Sequence, residues 1–475
     1  MKRRDFLKSV GLLTAGAAIA PDALASNAGM PMGDVFNPET GVPGDLNTAD
    51  LGIRSLTPRI SRKLTVAVIG AGNRGSVYAK YCLNYPDLVQ VVAVSDLNEY
   101  RRKAFAKRHN IPAERCFGDY NDFLAAGKMA DAVIIATPDN HHYVPCMKAL
   151  AMGYDVLLEK PGAQTEKECR DLLAQAKKYN RILALCHVMR YAPYFIAMRA
   201  ILRKGEIGDI VSIQHLEPIQ YAHMAHSYVR GNWHNSKNTT PIILAKSCHD
   251  LDMLRWLIDK PCKTISADGS IYLFKEENAP KGAPARCTDG CPYESECPYS
   301  AIDIYTRKKR HTHVFDIPDR KDPVAVMEQL KKTDYGRCVY HMDNDQPDHY
   351  VANMVFEGGV TASFAMEAFT PHGGRRTRIM GTKGFIDGDS KQFTVTDFRS
   401  GKKKVWNMKV SEIEEYKGAG HGGGDYPLVR DFLEAVAAHD PSKLTSSIDA
   451  SIESHIMGFA AEKSRKTGKK ANVKL

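Results

Sequence analysis

With 475 residues, 43% of them hydrophobic and 25% charged, the chain is long enough for two packed domains and too apolar to be a disordered or fibrous protein. Its formal charge of +10 is spread along the chain, apart from four cations before residue 9 and a basic tail over 463–474. No basic stretch is interleaved with aromatics, so nucleic acid is not an expected partner.

The first 25 residues read as a twin-arginine export signal. Arg3-Arg4-Asp5-Phe6-Leu7-Lys8 is followed by an apolar stretch, Val10–Ala20, and a small-residue cleavage site, Ala23-Leu24-Ala25. The apolar stretch falls well short of the roughly 20 residues that span a bilayer. The reading therefore predicts cleavage near Ala25, a periplasmic or otherwise exported protein without a stable membrane span, and the twin-arginine export machinery as a partner. Residues 26–62, rich in Gly, Pro, Asn and Asp without apolar periodicity, read as an extended arm or linker.

Residues 63–188 carry the pattern of a dinucleotide-binding domain. An apolar run, Leu64–Ile69, breaks into Gly70-Ala71-Gly72-Asn73-Arg74-Gly75. A helix is predicted over Ser76–Asn84, and a second strand ends at Asp96. Gly70 and Gly72 suit a tight turn and close approach of the backbone to a pyrophosphate, and Gly75 suits close helix packing. Asn73 and Arg74 lie in the glycine turn, before a helix whose terminal amides would face phosphate. An acidic residue at position 96 accepts hydrogen bonds from a ribose and repels a 2′-phosphate, so NAD is expected over NADP; Arg101 and Arg102 nearby pull the other way. Further strands are predicted at Ala130–Ala136, Val156–Leu158 and Ile182–Cys186, and helices at Tyr100–His109, Tyr143–Met152 and Lys167–Tyr179. The alternation predicts an α/β, doubly wound parallel sheet.

Residues 189–475 have a different texture. Strand-like runs at Ile210–His215, Thr264–Leu273, Tyr350–Phe356, Val360–Met366, Arg376–Met380 and Gln392–Asp397 predict an α+β domain with an open, mostly antiparallel sheet. Helices are expected near Ser247–Ile258 and over about 425–465. A Pro/Gly-rich insertion, 275–325, holds Cys287, Cys291 and Cys297. With Cys338, or with His311 or His313, these thiols suggest a structural zinc; disulfides are the competing reading for an exported protein.

The chain from about residue 63 onward resembles the Gfo/Idh/MocA superfamily of nicotinamide-dependent sugar and cyclitol oxidoreductases. The resemblance rests on Gly70–Gly75, Ala136-Thr137-Pro138-Asp139-Asn140-His141, Leu158-Glu159-Lys160-Pro161, and His249-Asp250-Leu251-Asp252 followed by Arg255-Trp256-Leu257. It implies that Thr137, Pro138 and His141 lie on the nicotinamide-ribose side, that Glu159 and Lys160 border the nicotinamide, and that Lys160 and His249 act on the substrate hydroxyl. It also implies a homo-oligomer. In the family's sugar dehydrogenases an aspartate commonly precedes this histidine by four residues. Ala245 occupies that place here, leaving Asp250 or Asp252 to orient the imidazole.

Arg190, Tyr191, Trp233, His234 and His421 are candidate substrate contacts, with His187, Tyr221, His223 and His226 nearby in sequence. Gly420-His421-Gly422-Gly423-Gly424-Asp425-Tyr426 also resembles a segment of NAD-dependent glycosidases that share the fold. Two reactions are therefore expected of these residues. One is hydride transfer between a sugar, glycoside or cyclitol hydroxyl and NAD. The other is glycoside hydrolysis through transient oxidation at C3, elimination and hydration. An exported enzyme would carry its NAD tightly bound in either case.

Overall fold

The computed structural model describes residues 52–407 and 414–474. The export signal and most of the predicted arm lie outside the described residues. The end of the arm packs on the body of the protein: Leu56 is buried, Tyr81 donates a hydrogen bond to its carbonyl, and Arg54 pairs with Asp431 and Glu434.

The first layer is a parallel sheet of β1 (Leu64–Ile69), β2 (Val89–Ser95), β3 (Cys116–Phe117), β4 (Ala132–Ile135), β5 (Asp155–Leu158) and β6 (Leu183–Leu185), in the order β3-β2-β1-β4-β5-β6. Its helices are α1 (Asn73–Asn84), α2 (Glu99–His109), α3 (Tyr120–Ala125), α4 (Tyr143–Ala151) and α5 (Glu166–Lys178). Both faces of this sheet are buried. Val66 and Val68 of β1 enter one core while Ala67 and Ile69 enter the other, as the two-residue period of a strand requires. Strand order reverses between β1 and β4, so the cleft for a ligand opens at the carboxyl ends of those strands.

After α6 (Pro193–Arg203) comes a nine-stranded sheet of β7 (Ile210–Pro218), β8 (Cys262–Ser270), β9 (His349–Phe356), β10 (Thr361–Glu367), β11 (Arg376–Gly381), β12 (Gly384–Gly388), β13 (Gln392–Asp397), β14 (Lys403–Asn407) and β15 (Ala471–Asn472). The order is β14-β13-β12-β11-β7-β10-β9-β8-β15, antiparallel except for the β7–β10 pair. The helix α7 (Cys248–Ile258) runs between β7 and β8. A long excursion containing α8 (Pro323–Lys332) separates β8 from β9, its antiparallel neighbour.

The last two helices return to the first domain. Tyr426, Leu428, Val429 and Phe432 of α9 (Asp425–Ala438) join the core with Tyr78 and Tyr81. Ile448, Ile452 and Ile456 of α10 (Ile448–Thr467) join the opposite core with Leu158 and Leu172. Each face of the nucleotide-domain sheet is therefore sealed partly by residues from the end of the chain.

Candidate active site

The glycine turn has the shape a pyrophosphate requires. Gly70 sits at φ +95°, and a Cβ there would lie 2.6 Å from the Ala136 carbonyl oxygen. Around Gly72 the nearest atom to such a Cβ is Arg101 Nη1 at 3.9 Å, which leaves the N-terminus of α1 open. No side chain caps this helix, so its first amides remain free to bind an anion. Asp96 braces the turn, accepting from Ala71 N at 2.7 Å and Asn98 N at 2.8 Å. These features fit a dinucleotide, with Gly70, Gly72 and Gly75 shaping the cradle and exposed Asn73 at its mouth.

Arg74 turns away from that mouth. Its Nε donates to Glu159 at 2.8 Å, its two terminal nitrogens reach Asp425 at 2.7 and 3.1 Å, and one also donates to Tyr78 Oη at 2.6 Å. Burial opposes ionisation of Glu159, yet Arg74 and Lys160, with hydrogen bonds from Arg74 and Tyr78, hold its carboxyl below the usual range. Asp425 behaves likewise: burial is outweighed by His421 and Arg74. Arg74 and Glu159, expected beside the cofactor, thus form the buried frame behind it.

Lys160 stands at the end of β5 with Nζ donating to the Ala245 carbonyl at 2.7 Å. The position that carries an aspartate in related dehydrogenases supplies a neutral backbone acceptor here. On the other wall, His249 is buried in the first turn of α7, and its Nδ1 has no hydrogen-bond partner. Burial, then the charge of Lys160 and the nearby His421, Arg375 and His187, push its pKa well below that of a free imidazole. His249 is therefore neutral at neutral pH and able to accept a proton. The ring of His421 lies 5.7 Å away and is fixed by its Nδ1 bond to Asp425 at 2.9 Å. The ring of His187 lies 6.1 Å away and is pushed by burial to a pKa of about 3.

Several expected roles change. Asp252 does not orient His249: it makes a two-point ion pair with Arg190 at 2.6 Å, and Arg190 also donates to the Thr445 carbonyl. Asp250 is held by His215 at 2.9 Å and Arg375 at 2.5 Å. Burial would raise the pKa of either carboxyl; Arg375 and His215 together outweigh it at Asp250, and Arg190, His187 and a hydrogen bond from Ser454 together outweigh it at Asp252. Tyr191 is buried, with Oη 2.9 Å from Ser446 Oγ. Arg190 and Tyr191 are thus spent inside the protein, because the turn that follows β6 packs under α7 and the chain before α10.

Trp233 and His234 also differ from free substrate contacts. Trp233 Nε1 donates to Asp139 at 3.0 Å and Thr240 Oγ1 to the same carboxylate at 2.9 Å, while His234 Nδ1 bonds to the Gly231 carbonyl. Asp139 lies just after Thr137-Pro138, so this contact clamps the second domain to the cleft mouth. His141 is exposed. Its neighbour His142 is buried, with ring nitrogens 2.7 and 2.8 Å from the Pro161 and Thr137 carbonyls, and it ties two cleft turns together.

Cys287, Cys291, Cys297 and Cys338 do come together around one cavity of about 190 Å³. Among the described residues, however, no three Cys, His, Asp or Glu side chains are gathered closely enough to hold a metal ion. All eleven cysteines are free thiols. The suggested zinc ligand set is not assembled among the described residues: Cys287 Sγ accepts from Ala301 N and Arg230 at 3.5 and 3.6 Å.

Arg375, Glu217, His455 and Asp425 were not singled out for this site from the sequence. Arg375 joins Glu217 at 2.9 Å, and Glu217 also meets Lys246 at 3.0 Å. His455 Nε2 accepts from Gly162 N at 3.0 Å, just beyond Lys160-Pro161. Strand β7, the residue that leads into β11, and the helices α9 and α10 bring these groups near. The sole sequence signal was Asp425 within the glycine-rich segment.

Comparison with known proteins agrees with this arrangement. Residues 64–187 match the family model described as an oxidoreductase family with an NAD-binding Rossmann fold, and residues 199–475 match its C-terminal alpha/beta domain. YteT of Bacillus subtilis is 24% identical over 352 residues, covering 70% of this chain and 78% of that one. An inositol 2-dehydrogenase of Klebsiella pneumoniae is 29% identical over 203 residues, covering 42% of this chain and 56% of that enzyme's length. The fold matches an inositol dehydrogenase homolog of Azotobacter vinelandii complexed with NAD+, at TM-score 0.63 and 16% identity, covering 88% of this chain and all of that one. An oxidoreductase from Agrobacterium radiobacter in complex with NAD+, L-tartaric acid and magnesium matches at TM-score 0.61 and 15% identity, covering 86% and 98%. With both domain models matched in order across the nucleotide cleft and the Lys160–His249 pair, the chain belongs to the Gfo/Idh/MocA oxidoreductase family.

Proposed function

We propose that this protein is an exported, NAD-dependent oxidoreductase acting on a hydroxyl of a sugar or cyclitol. The observation that carries the reading is that Lys160, anchored on the Ala245 carbonyl near the end of β5, lies close enough for its charge to act on neutral, buried His249. NAD, when bound, supplies the hydride acceptor. Lys160 donates a hydrogen bond to the substrate oxygen and stabilises negative charge as the C–H bond weakens. His249 accepts the hydroxyl proton and returns it in the reverse direction. His421, steadied by Asp425, adds a polar group beside His249.

The name inositol 2-dehydrogenase borne by a relative supports a polyol substrate. The twin-arginine segment supports export in the folded state. The clamp of Trp233 and Thr240 on Asp139 supports a nucleotide that stays with the protein. The test is to purify the mature chain without added nucleotide and follow the reduced-nicotinamide absorbance while offering sugars, inositols and aryl glycosides. Lasting reduction by a sugar or inositol is expected. Release of the aglycone with no net change in NAD would overturn the dehydrogenase reading in favour of a redox-assisted glycosidase.

A further inference from the structure

Two arginines follow Asp96 in the first turn of α2, and cations at this place ordinarily accommodate the 2′-phosphate of NADP. Each is engaged through one nitrogen here. Arg102 Nη1 donates to the Asp96 carbonyl at 2.6 Å. Arg101, whose Nη1 overlooks the open side of Gly72, gives its Nε to Asp316 at 2.9 Å. The other oxygen of Asp316 accepts from Asn98 Nδ2 at 2.8 Å.

Asp316 belongs to the excursion between β8 and β9, 215 residues from its arginine. It is not a loose surface contact. Phe315 before it is buried against Tyr305 and Tyr335 at 5.6 and 5.7 Å, and its carbonyl accepts from Arg320 at 3.0 Å. The Arg101 and Asp316 side chains are 37% and 23% exposed. A pair so exposed adds little to folding, so stability does not account for the placement.

We infer that Asp316 is a cofactor-specificity residue: by pairing with Arg101 Nε from the second domain, it offsets the charge and fixes the direction of a guanidinium that would otherwise turn to a 2′-phosphate, and so favours NAD over NADP. Asp96 repels the 2′-phosphate from within the nucleotide domain, and Asp316 weakens the cation that would offset that repulsion. The glycine-turn geometry that admits the dinucleotide is independent of Asp316. Its loss therefore changes the choice between the two nucleotides more than the binding of NAD. This inference rests on the proposed NAD dependence.

The test is calorimetric titration of the full mature chain, stripped of nucleotide, with NAD, NADP and adenosine 2′,5′-bisphosphate. Asp316→Ala and Asp316→Asn are expected to tighten NADP and the bisphosphate by about tenfold, the value of one charge-assisted hydrogen bond, with NAD nearly unchanged. Adding Arg101→Ala to Asp316→Ala should abolish the gain. An unchanged NADP-to-NAD ratio in both single variants, with native circular dichroism and thermal midpoint, would overturn the assignment. If the unaltered chain binds NADP as well as NAD, the assignment fails while the nucleotide reading stands. If it binds neither, both fail.

Discussion

The guanidinium of Arg74 and the carboxylate of Asp425, 351 residues apart, meet in a two-point ion pair at 2.7 and 3.1 Å. The pair joins the helix behind the glycine turn to the helix that carries the end of the chain back onto the nucleotide domain. Through Glu159 on one side and His421 on the other, it also connects the glycine-turn cleft to the wall that carries His249.

Removing Asp425 leaves Arg74, a quarter exposed, with Glu159 as its remaining carboxylate partner. Asp425→Ala is expected to destabilise the protein by about 1.5–3 kcal/mol in urea unfolding, the usual worth of a charge-assisted hydrogen bond. It also frees His421, so kcat/KM should fall even where the variant is fully folded. A variant as stable as the parent would show that Arg74 finds an equal partner elsewhere.

Lys160→Met keeps much of the side chain's bulk and removes its donor. Turnover should fall by about 10²- to 10³-fold, as when one donor to a developing oxyanion is lost. The affinity for NAD should stay within a few-fold, because the glycine turn and α1 are untouched. Retained turnover would remove Lys160 from the chemistry.

The pH profile reports on His249. Its pKa is lowered by burial and by the surrounding cations, and only the neutral ring accepts a proton. The rate should therefore rise with pH to a midpoint below the imidazole value of about 6.5 and stay flat above it. In His249→Asn the acid limb should vanish and the rate drop by about 10²- to 10⁴-fold. An acid limb that survives this change would belong to another group.

Acid should loosen the excursion between β8 and β9. His226 and His311 stack at 4.4 Å beside His223 and His313, and all four rings are shifted down, chiefly by burial; His226 falls to about 2 and His311 to about 4. Lys160, Lys246, Arg101, Arg230, Arg310 and Arg320 add to the shift. Below about pH 6.5 the opened state takes up protons that the packed rings refuse, so their contribution is complete above that pH and is lost as pH falls toward 4. Hydrogen exchange over 302–316 should accelerate between neutral pH and about pH 5, after correction for intrinsic rates, relative to the first sheet. Equal protection at both values would contradict the shifts.

The sequence by itself determined the elements whose signal is local. Alternating apolar runs and helical periods placed β1, β2, α1, α4 and α5 within a few residues, because parallel strands buried on both faces are continuously apolar. The glycine turn with Asp96, Lys160 and His249 could be read for the same reason: each lies at a strand or helix end that the local pattern fixes. The short strands β3, β12, β14 and β15 escaped notice, since they lack the continuous apolar run that marks the equally short β4, β5 and β6.

Tertiary structure alone decided which charges meet. Asp250, one position beyond His249, points to another side of the helix and meets Arg375; Asp252, three positions beyond, shares the face of His249 and is taken instead by Arg190 from the turn that follows β6. Arg190, Tyr191 and Trp233 had the chemistry of substrate contacts and were satisfied inside the protein instead. Asp316, Arg375 and Asp425 carried weak or no signals, because an ion pair across hundreds of residues has no sequence period. It exists only once the sheets and the returning helices bring its partners within a hydrogen bond of each other.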